Sequence, residues 1–391
     1  MKKFSFVIPT YQNKELIKNT LESLNYQKGY SRQDYEVVLV DDGSTDGTGE
    51  YISGVNKNYD LKYVYLERNG DSCRGRARNR GWQEASGEII IFIDGDILVK
   101  DDYLNELDRC MSVANNLLVV GNIIMLRKDV PYEMICDREA FNKKICCKPK
   151  YDQLDPRYFL FYEYSYNTYC QTYPWLNSYG ANLAVRKKWL EKTGGFDEKF
   201  KSWGHEDIEF GYSLWQIGVK VVVSSKLTVL HQSHRTYSQF VARQKMLLEK
   251  SQNNLDYFLE KHPASFNESR DAVNKYFNGG HTVELAPKQK KLSNRITIEF
   301  KNKCDLEIVK GDIAALARKA GNRIKVYDHV EDTDLDIWIQ LLGKCPSVPR
   351  YYPVSRVRYF RSILGPRIIL FKMSLLYISI SLKIRKIGSL K

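Results

Sequence analysis

The chain has 391 residues, 43% of them hydrophobic and 27% charged, which excludes a disordered tract and leaves apolar material for more than one packed unit. Its formal charge of +13 is unevenly placed: no acidic residue follows Asp336, whereas Ile337 to Lys391 carries eleven Lys and Arg. A basic appendage on a near-neutral domain is expected, and a nucleic-acid partner is not, because no RNA-binding motif accompanies the charge.

Phe4 to Ile8 is a short apolar run closed by Pro9-Thr10, the pattern of a buried strand. Leu16, Ile17, Leu21 and Leu24 recur at helical spacing. Tyr35 to Val40 reads as a second strand ending in Asp41-Asp42, Thr48 to Ile52 begins a helix, and Leu61 to Leu66 is a third strand. Arg76 to Glu84 is helical, and Glu88 to Ile93 is a fourth strand ending in Asp94-Gly95-Asp96. This alternation predicts a mostly parallel α/β sheet, whose ligands bind beyond the carboxyl ends of the strands. Residues Pro131 to Tyr173 have no clear period and are expected to form an insertion over that face. Further on, Leu183 to Leu190 is strand then helix, Ile208 to Ile217 is helical, Val219 to Leu230 is a strand pair, and Gln239 to Phe258 is a long helix. From about Pro287, strand-like runs at Arg295 to Phe300, Leu306 to Val309 and Ile324 to Tyr327 suggest an α+β unit. None of the eight Cys forms a CxxC pair. The start MKKFSFVIPTY runs into a strand with no secretory h-region, so reduced thiols and a cytosolic setting are expected.

The polar clusters at the strand ends each admit two readings. Asp94 and Asp96 can share a divalent cation, with hard oxygen ligands suited to Mn²⁺ or Mg²⁺, or form an ordinary Asp-Gly turn. Asp41-Asp42 can accept an N–H from a uracil ring or cap a helix. In the run Arg74, Arg76, Arg78, Arg80, alternate arginines entering a helix can clamp phosphates or form a solvated face. Trp203 beside Glu206 and Asp207 offers an indole platform and carboxylates for a sugar acceptor, or a capped helix start with Trp in the core. His231 and His234, after an apolar strand, can complete a metal shell or be structural.

Taken together and in order, FSFVIPTYQNKELI, VVLVDDGSTDGT, GRARNRGWQEASGEIIIFIDGDI and GGFDEKFKSWGHEDIEFGYSLWQIG resemble family 2 glycosyltransferases of the GT-A fold. The last block is similar to the carboxyl half of β-1,4-galactosyltransferases and of bacterial chondroitin-type polymerases. The resemblance covers residues 1 to about 240. It implies Thr10 and Asp42 at the uridine, Arg74 and Arg78 near the base or diphosphate, Asp94 as the ribose-side acid and Asp96 as a metal ligand. It also implies Asp207 as catalytic base, Glu206 as its acceptor-binding neighbour, Trp203 as sugar platform, and His231 or His234 as the metal histidine. Two positions depart from the pattern: His231 stands where the galactosyltransferases place a methionine, and His205 where they have a small residue.

The expectation is a GT-A catalytic domain over 1–245, a helical then α+β accessory region over 246–349, and a basic amphipathic tail over 350–391. The tail's apolar runs, such as Leu375 to Leu382, are too short to span a bilayer and suit a helix lying on anionic lipid. The implied reaction is inverting transfer of a hexose or N-acetylhexosamine from a UDP-sugar to a glycan or lipid-linked hydroxyl, in surface polysaccharide synthesis at the inner face of the membrane. The rival is a non-catalytic sugar- or nucleotide-binding protein on the same fold, against which the intact Asp94, Asp96 and Asp207 weigh.

Overall fold

The computed structural model describes residues 2–128, 130–145, 153, 155, 157, 167–168, 171–233, 251–267, 269–277, 294–301, 306–331, 333–343 and 345–353. Its centre is an eight-stranded sheet built from β1 (Phe4–Thr10), β2 (Tyr35–Asp41), β3 (Asp60–Tyr65), β4 (Ile89–Ile93), β5 (Ile97–Leu98), β6 (Leu117–Met125), β7 (Asn182–Arg186) and β8 (Lys220–His231). The spatial order is β3-β2-β1-β4-β7-β6-β8-β5. Strands β1 to β4 are parallel, as the strand–helix alternation predicts, while β7 runs antiparallel to both β4 and β6. Helices α1 (Lys14–Ser23), α2 (Thr48–Ser53), α3 (Arg74–Glu84) and α4 (Tyr103–Ser112) fill the early connections.

The central strands are hydrophobic at successive positions because both faces are covered. Phe4, Phe6 and Ile8 of β1 pack with Ile17, Leu21, Leu104 and Leu107 on one side. Val7, Val40 and Phe92 pack with Ala77, Trp82, Phe196 and Phe210 on the other. Helix α3 lies close against the sheet: a Cβ on Gly81 would stand 2.3 Å from Val7 Cγ1.

Several boundaries differ from the sequence reading. Helix α3 starts at Arg74, two residues early, because the Cys73 thiol caps it by accepting from the Arg76 amide at 3.4 Å. The run Val219 to Leu230 is not a strand pair but one strand, β8, whose register against β6 shifts between Gly121 and Asn122. Part of the segment after Pro131 is regular, forming α5 (Tyr132–Cys136) and α6 (Arg138–Ile145); the Tyr132 hydroxyl ties it to Glu22 of α1 at 2.9 Å. The next helices are α7 (Lys187–Thr193) and α8 (Glu206–Gln216). Of the long helix expected from Gln239, residues 251–261 are helical and 234–250 lie outside the described residues.

After α9 (Arg270–Phe277), a second sheet of three parallel strands follows: β9 (Asn294–Phe300), β10 (Asn322–Asp328) and β11 (Arg350–Pro353), ordered β11-β10-β9. Helices α10 (Leu306–Ala317) and α11 (Leu335–Leu341) lie in its crossovers. Leu306 to Val309, read as strand-like, is helical because Ile313 and Ala317 carry its apolar pattern on at helical spacing into the small core. Residues 350–353, assigned to the tail, are a strand of this sheet, with Tyr351 buried and its hydroxyl donating to Asp328 at 2.8 Å. The rest of the expected tail lies outside the described residues. Helix α11 also docks on the main sheet. The Gln340 amide donates to Val223 O (2.8 Å) and accepts from Val223 N (2.9 Å), and Asp336 pairs with Arg109 at 3.2 Å. Among the described residues no helix is long and apolar enough to cross a membrane, and Cys73, Cys110, Cys136 and Cys345 are free thiols.

Because Gly81 lets α3 approach β1, Gly81→Ala is expected to force the helix outward and destabilise the fold by ~1–3 kcal/mol. A lowered denaturant midpoint at unchanged slope checks this.

Candidate active site

The strand ends meet as the parallel topology requires. Thr10 closes β1 opposite Asp41 of β2, and the Asp42 amide donates to Thr10 O at 3.0 Å. Strand β4 lies on the other side of β1, so Asp94 and Asp96 emerge beside Thr10. The third contributor arrives from far along the chain. Strand β5 pairs antiparallel with the end of β8, Ile97 opposite His231, and the Gln232 amide donates to Asp96 O at 2.9 Å. That pairing sets His231 Nε2 3.5 Å from Asp96 Oδ2. His234 lies outside the described residues.

Asp42 is nearly buried and held by a residue the sequence reading missed. Arg68 donates to its Oδ2 at 2.6 Å and stacks over the Tyr11 ring at 3.8 Å, while Ser72 donates to Oδ1 at 3.0 Å. Arg68 stands just past the carboxyl end of β3, so the strand-end rule that picked out Asp42 and Asp94 applies to it equally. The Thr10 hydroxyl oxygen is buried without a hydrogen-bond partner.

The four alternate arginines separate. Arg80 pairs with Glu84 on the helix surface at 2.6 Å, and Arg76 bonds to the loop before α3. Arg74 is exposed at the first turn of α3, and its charge helps to lower the Asp94 pKa. Arg78 is buried and donates to Asp94 Oδ1 at 3.0 Å and to Glu206 Oε1 at 3.2 Å. The sequence expectation placed Arg78 near a nucleotide base or diphosphate; in the structure both terminal nitrogens face carboxylates, and the guanidinium joins Asp94 at the end of β4 to Glu206 of α8. It also packs over the Phe196 ring, and only glycine fits at Gly180, where a Cβ would stand 2.5 Å from Arg78 Nη2. The neighbouring Asn79 side chain clamps both the amide and the carbonyl of Phe196 at 2.8 Å, fixing α3 to the turn that leads to α8.

Helix α8 begins at Glu206, which puts both acids in its first turn. Glu206 is buried and its Oε2 has no hydrogen-bond partner. Asp207 Oδ2 accepts from the Gly180 amide at 3.0 Å and Oδ1 from the Ile208 amide at 2.9 Å. Burial, followed by the Glu206 charge, pushes the Asp207 pKa up to about 7, with the two amides and Arg78 pulling the other way. At Asp94 burial also raises the pKa, but the charges of Arg78 and Arg74 outweigh it and hold the carboxyl below its usual value. Asp94 and Asp207 are thus set to opposite protonation tendencies. Trp203 is 37% exposed in the turn before α8.

Among the described residues no group of three or more His, Cys, Asp and Glu converges as a metal cage. The pair Asp96 and His231, one oxygen and one nitrogen donor, could hold a borderline-hard divalent cation.

Residues 5–194 match the model described as glycosyl transferase family 2, and residues 163–237 match that described as the N-terminal domain of galactosyltransferase. The matched region, residues 5–237, is a family 2 glycosyltransferase domain with the GT-A fold. Validoxylamine A glucosyltransferase of Streptomyces hygroscopicus subsp. jinggangensis is 30% identical over 66% of this chain and 61% of its own length. Chondroitin synthase of Escherichia coli is 29% identical over 55% and 32%, and the poly(ribitol-phosphate) beta-N-acetylglucosaminyltransferase TarS of Staphylococcus aureus is 37% identical over 27% and 17%. The chain thus spans less than two thirds of the length of these relatives. Among solved structures, S. aureus TarS aligns with a TM-score of 0.46 at 20% identity, over 70% of this chain and 45% of that one. The mannosyltransferase PcManGT of Pyrobaculum calidifontis, solved with GDP-Man and Mn²⁺, gives 0.44 at 17% over 71% and 68%. Likenesses that remote add nothing to the sheet order already described.

Since the Asp207 pKa is raised above its unfolded value, the native state binds the extra proton between about pH 4 and 7. Its contribution to stability is complete below about pH 4 and is lost as pH rises through about 7. Asp207→Asn is therefore expected to stabilise the fold above pH 7, by a few kcal/mol at most, and to have little effect near pH 4. Melting curves of both proteins across that range check the sign.

Proposed function

We propose that this chain is an inverting glycosyltransferase that moves a hexose or N-acetylhexosamine from a UDP-sugar to a hydroxyl of a glycan or lipid-linked acceptor. The observation that carries the reading is the Arg78 bridge, which joins the strand-end acids expected at the donor to the α8 acids expected at the acceptor. Support also comes from family membership and from relatives named for glucosyl and N-acetylglucosaminyl transfer.

In this reading Thr10 and Asp42 hold the uracil ring, with Arg68 fixing the Asp42 carboxylate. Asp94 sits at the ribose side, and the exposed Arg74 is the cation open to the diphosphate. Asp96 and His231, with His234 as a further candidate, hold Mn²⁺ or Mg²⁺, which when bound neutralises charge on the diphosphate leaving group. Asp207 takes the proton of the acceptor hydroxyl. That oxygen bonds to the anomeric carbon from the face opposite the diphosphate, the bond from anomeric carbon to phosphate oxygen breaks, and UDP leaves with the electron pair. A base with a pKa near the working pH combines a populated carboxylate with enough basicity to accept the proton. The two amides on Asp207 keep it oriented, and Trp203 offers a face for the sugar ring. Domain division follows the same reading: a catalytic unit over 1–245, an accessory region that runs on through β11 to 353, and beyond it a basic tail that associates peripherally with anionic lipid on the cytoplasmic side, in surface polysaccharide synthesis.

Release of UDP from candidate UDP-sugars with Mn²⁺, and its loss on chelation, tests the donor assignment. Asp207→Asn should reduce transfer by ~10³-fold or more while UDP binding persists. In the wild type kcat should rise with pH through about 7, as Asp207 loses its proton. Full transfer by the Asn variant removes Asp207 as the base. For the tail, the full chain should sediment with anionic vesicles at low salt and be released as salt rises.

A further inference from the structure

His205 lies in the turn between Trp203 and the acids of α8, as the residue that caps that helix. Its backbone is left-handed, φ 71°, and the residue is buried, 7% exposed. Neither ring nitrogen has a hydrogen-bond partner. Burial lowers the imidazole pKa to about 4, opposed by the adjacent Glu206, so the ring is neutral at ordinary pH and offers one N–H and one lone pair. The turn that carries it is fastened from behind. Asn254 donates to Ser202 O at 3.2 Å and to Gly204 O at 2.7 Å, and the Phe277 ring meets the imidazole edge-on at 4.8 Å. Next to it, Glu206 Oε2 is a second buried polar atom with no partner.

A ring needed only for packing against Phe277 would be more stable without nitrogens, because buried unsatisfied polar groups weaken a fold. A left-handed backbone adds strain for any residue other than glycine. Two unfavourable features at one position, beside a second unpaired acceptor in the same helix turn, mark a place where an outside group completes the hydrogen bonds. A neutral imidazole and a carboxylate oxygen together match hydroxyl groups, which both donate and accept. Among the described residues no cation contacts His205, so the pair does not match an anion.

We propose that His205 is a specificity-determining residue of the acceptor side, hydrogen-bonding a hydroxyl of the incoming sugar or polyol while Glu206 Oε2 accepts from another. This rests on the reading of α8 as the acceptor side. An acceptor lacking the hydroxyl would leave both protein groups unpaired, which is how such a site discriminates.

The test compares the full-length wild type with His205→Phe, which keeps the ring against Phe277, and His205→Gly, which suits the left-handed backbone and secures a folded variant. Donor turnover is read as UDP release without acceptor. Transfer is read with p-nitrophenyl glycosides of glucose, galactose, N-acetylglucosamine and N-acetylgalactosamine. Both variants should raise the KM for the best of these acceptors by roughly tenfold, with donor KM and acceptor-free UDP release within about twofold of wild type. His205→Phe should melt no lower than the wild type, an outcome that a merely structural histidine would not give together with the KM change. Wild-type acceptor KM in either folded variant, or stimulation of the wild type by none of the glycosides, overturns the proposal alone. Absence of UDP release from the wild type overturns the transferase reading and this inference with it.

Discussion

The buried guanidinium of Arg78 is the interaction on which the site depends. A cation removed from water is tolerable only when its charge is met, and here Asp94 and Glu206 each accept from one terminal nitrogen, while the buried Nε has no hydrogen-bond partner. The three form one electrostatic unit, so the strand-end acids and the first turn of α8 cannot be displaced separately. Gly180 and Gly81 are consequences of the same unit: one admits the guanidinium, the other lets α3 sit low enough on the sheet to present it.

From that unit the two carboxylates diverge in character. Asp94 feels Arg78 and Arg74 and is held as an anion, whereas Asp207, one residue beyond Glu206, feels burial and the neighbouring negative charge and is held near neutrality. Separation of pKa values between nearby acids is how a fold assigns different tasks to chemically identical groups. The geometry achieves it by setting Arg78 directly on Asp94 while burial and the Glu206 charge act on Asp207, whose two amide hydrogen bonds and more distant Arg78 only moderate the rise.

The second sheet is fastened to the main one at a meaningful place. Gln340 and Asp336 of α11 engage β8 and its surroundings where β8 slips in register against β6, and β8 continues from there to His231. A strand with a disturbed ladder has backbone groups to satisfy, and the Gln340 amide supplies both a donor and an acceptor to Val223.

The sequence by itself determined the parallel core and the polar clusters that end its strands. Buried strands read as unbroken apolar runs, and their carboxyl ends are marked by the first polar residues after them. For the same reason Asp42, Asp94 and Asp96 could be named without coordinates. Helix α3 began earlier than its period suggested because a cysteine is a weak and unusual cap. Leu306 to Val309 read as a strand because four residues are too few to tell one period from another. Tertiary structure alone decided which groups meet. His231 reaches Asp96 only because β5 pairs with β8 across a long stretch of chain, Arg68 finds Asp42 across a strand pair, and Arg78 becomes an internal counter-ion only once α3 and α8 flank the same strand ends. Local pattern is written in residue order. Ion pairing, burial and the pKa shifts they cause depend on distances that exist only after the chain has folded.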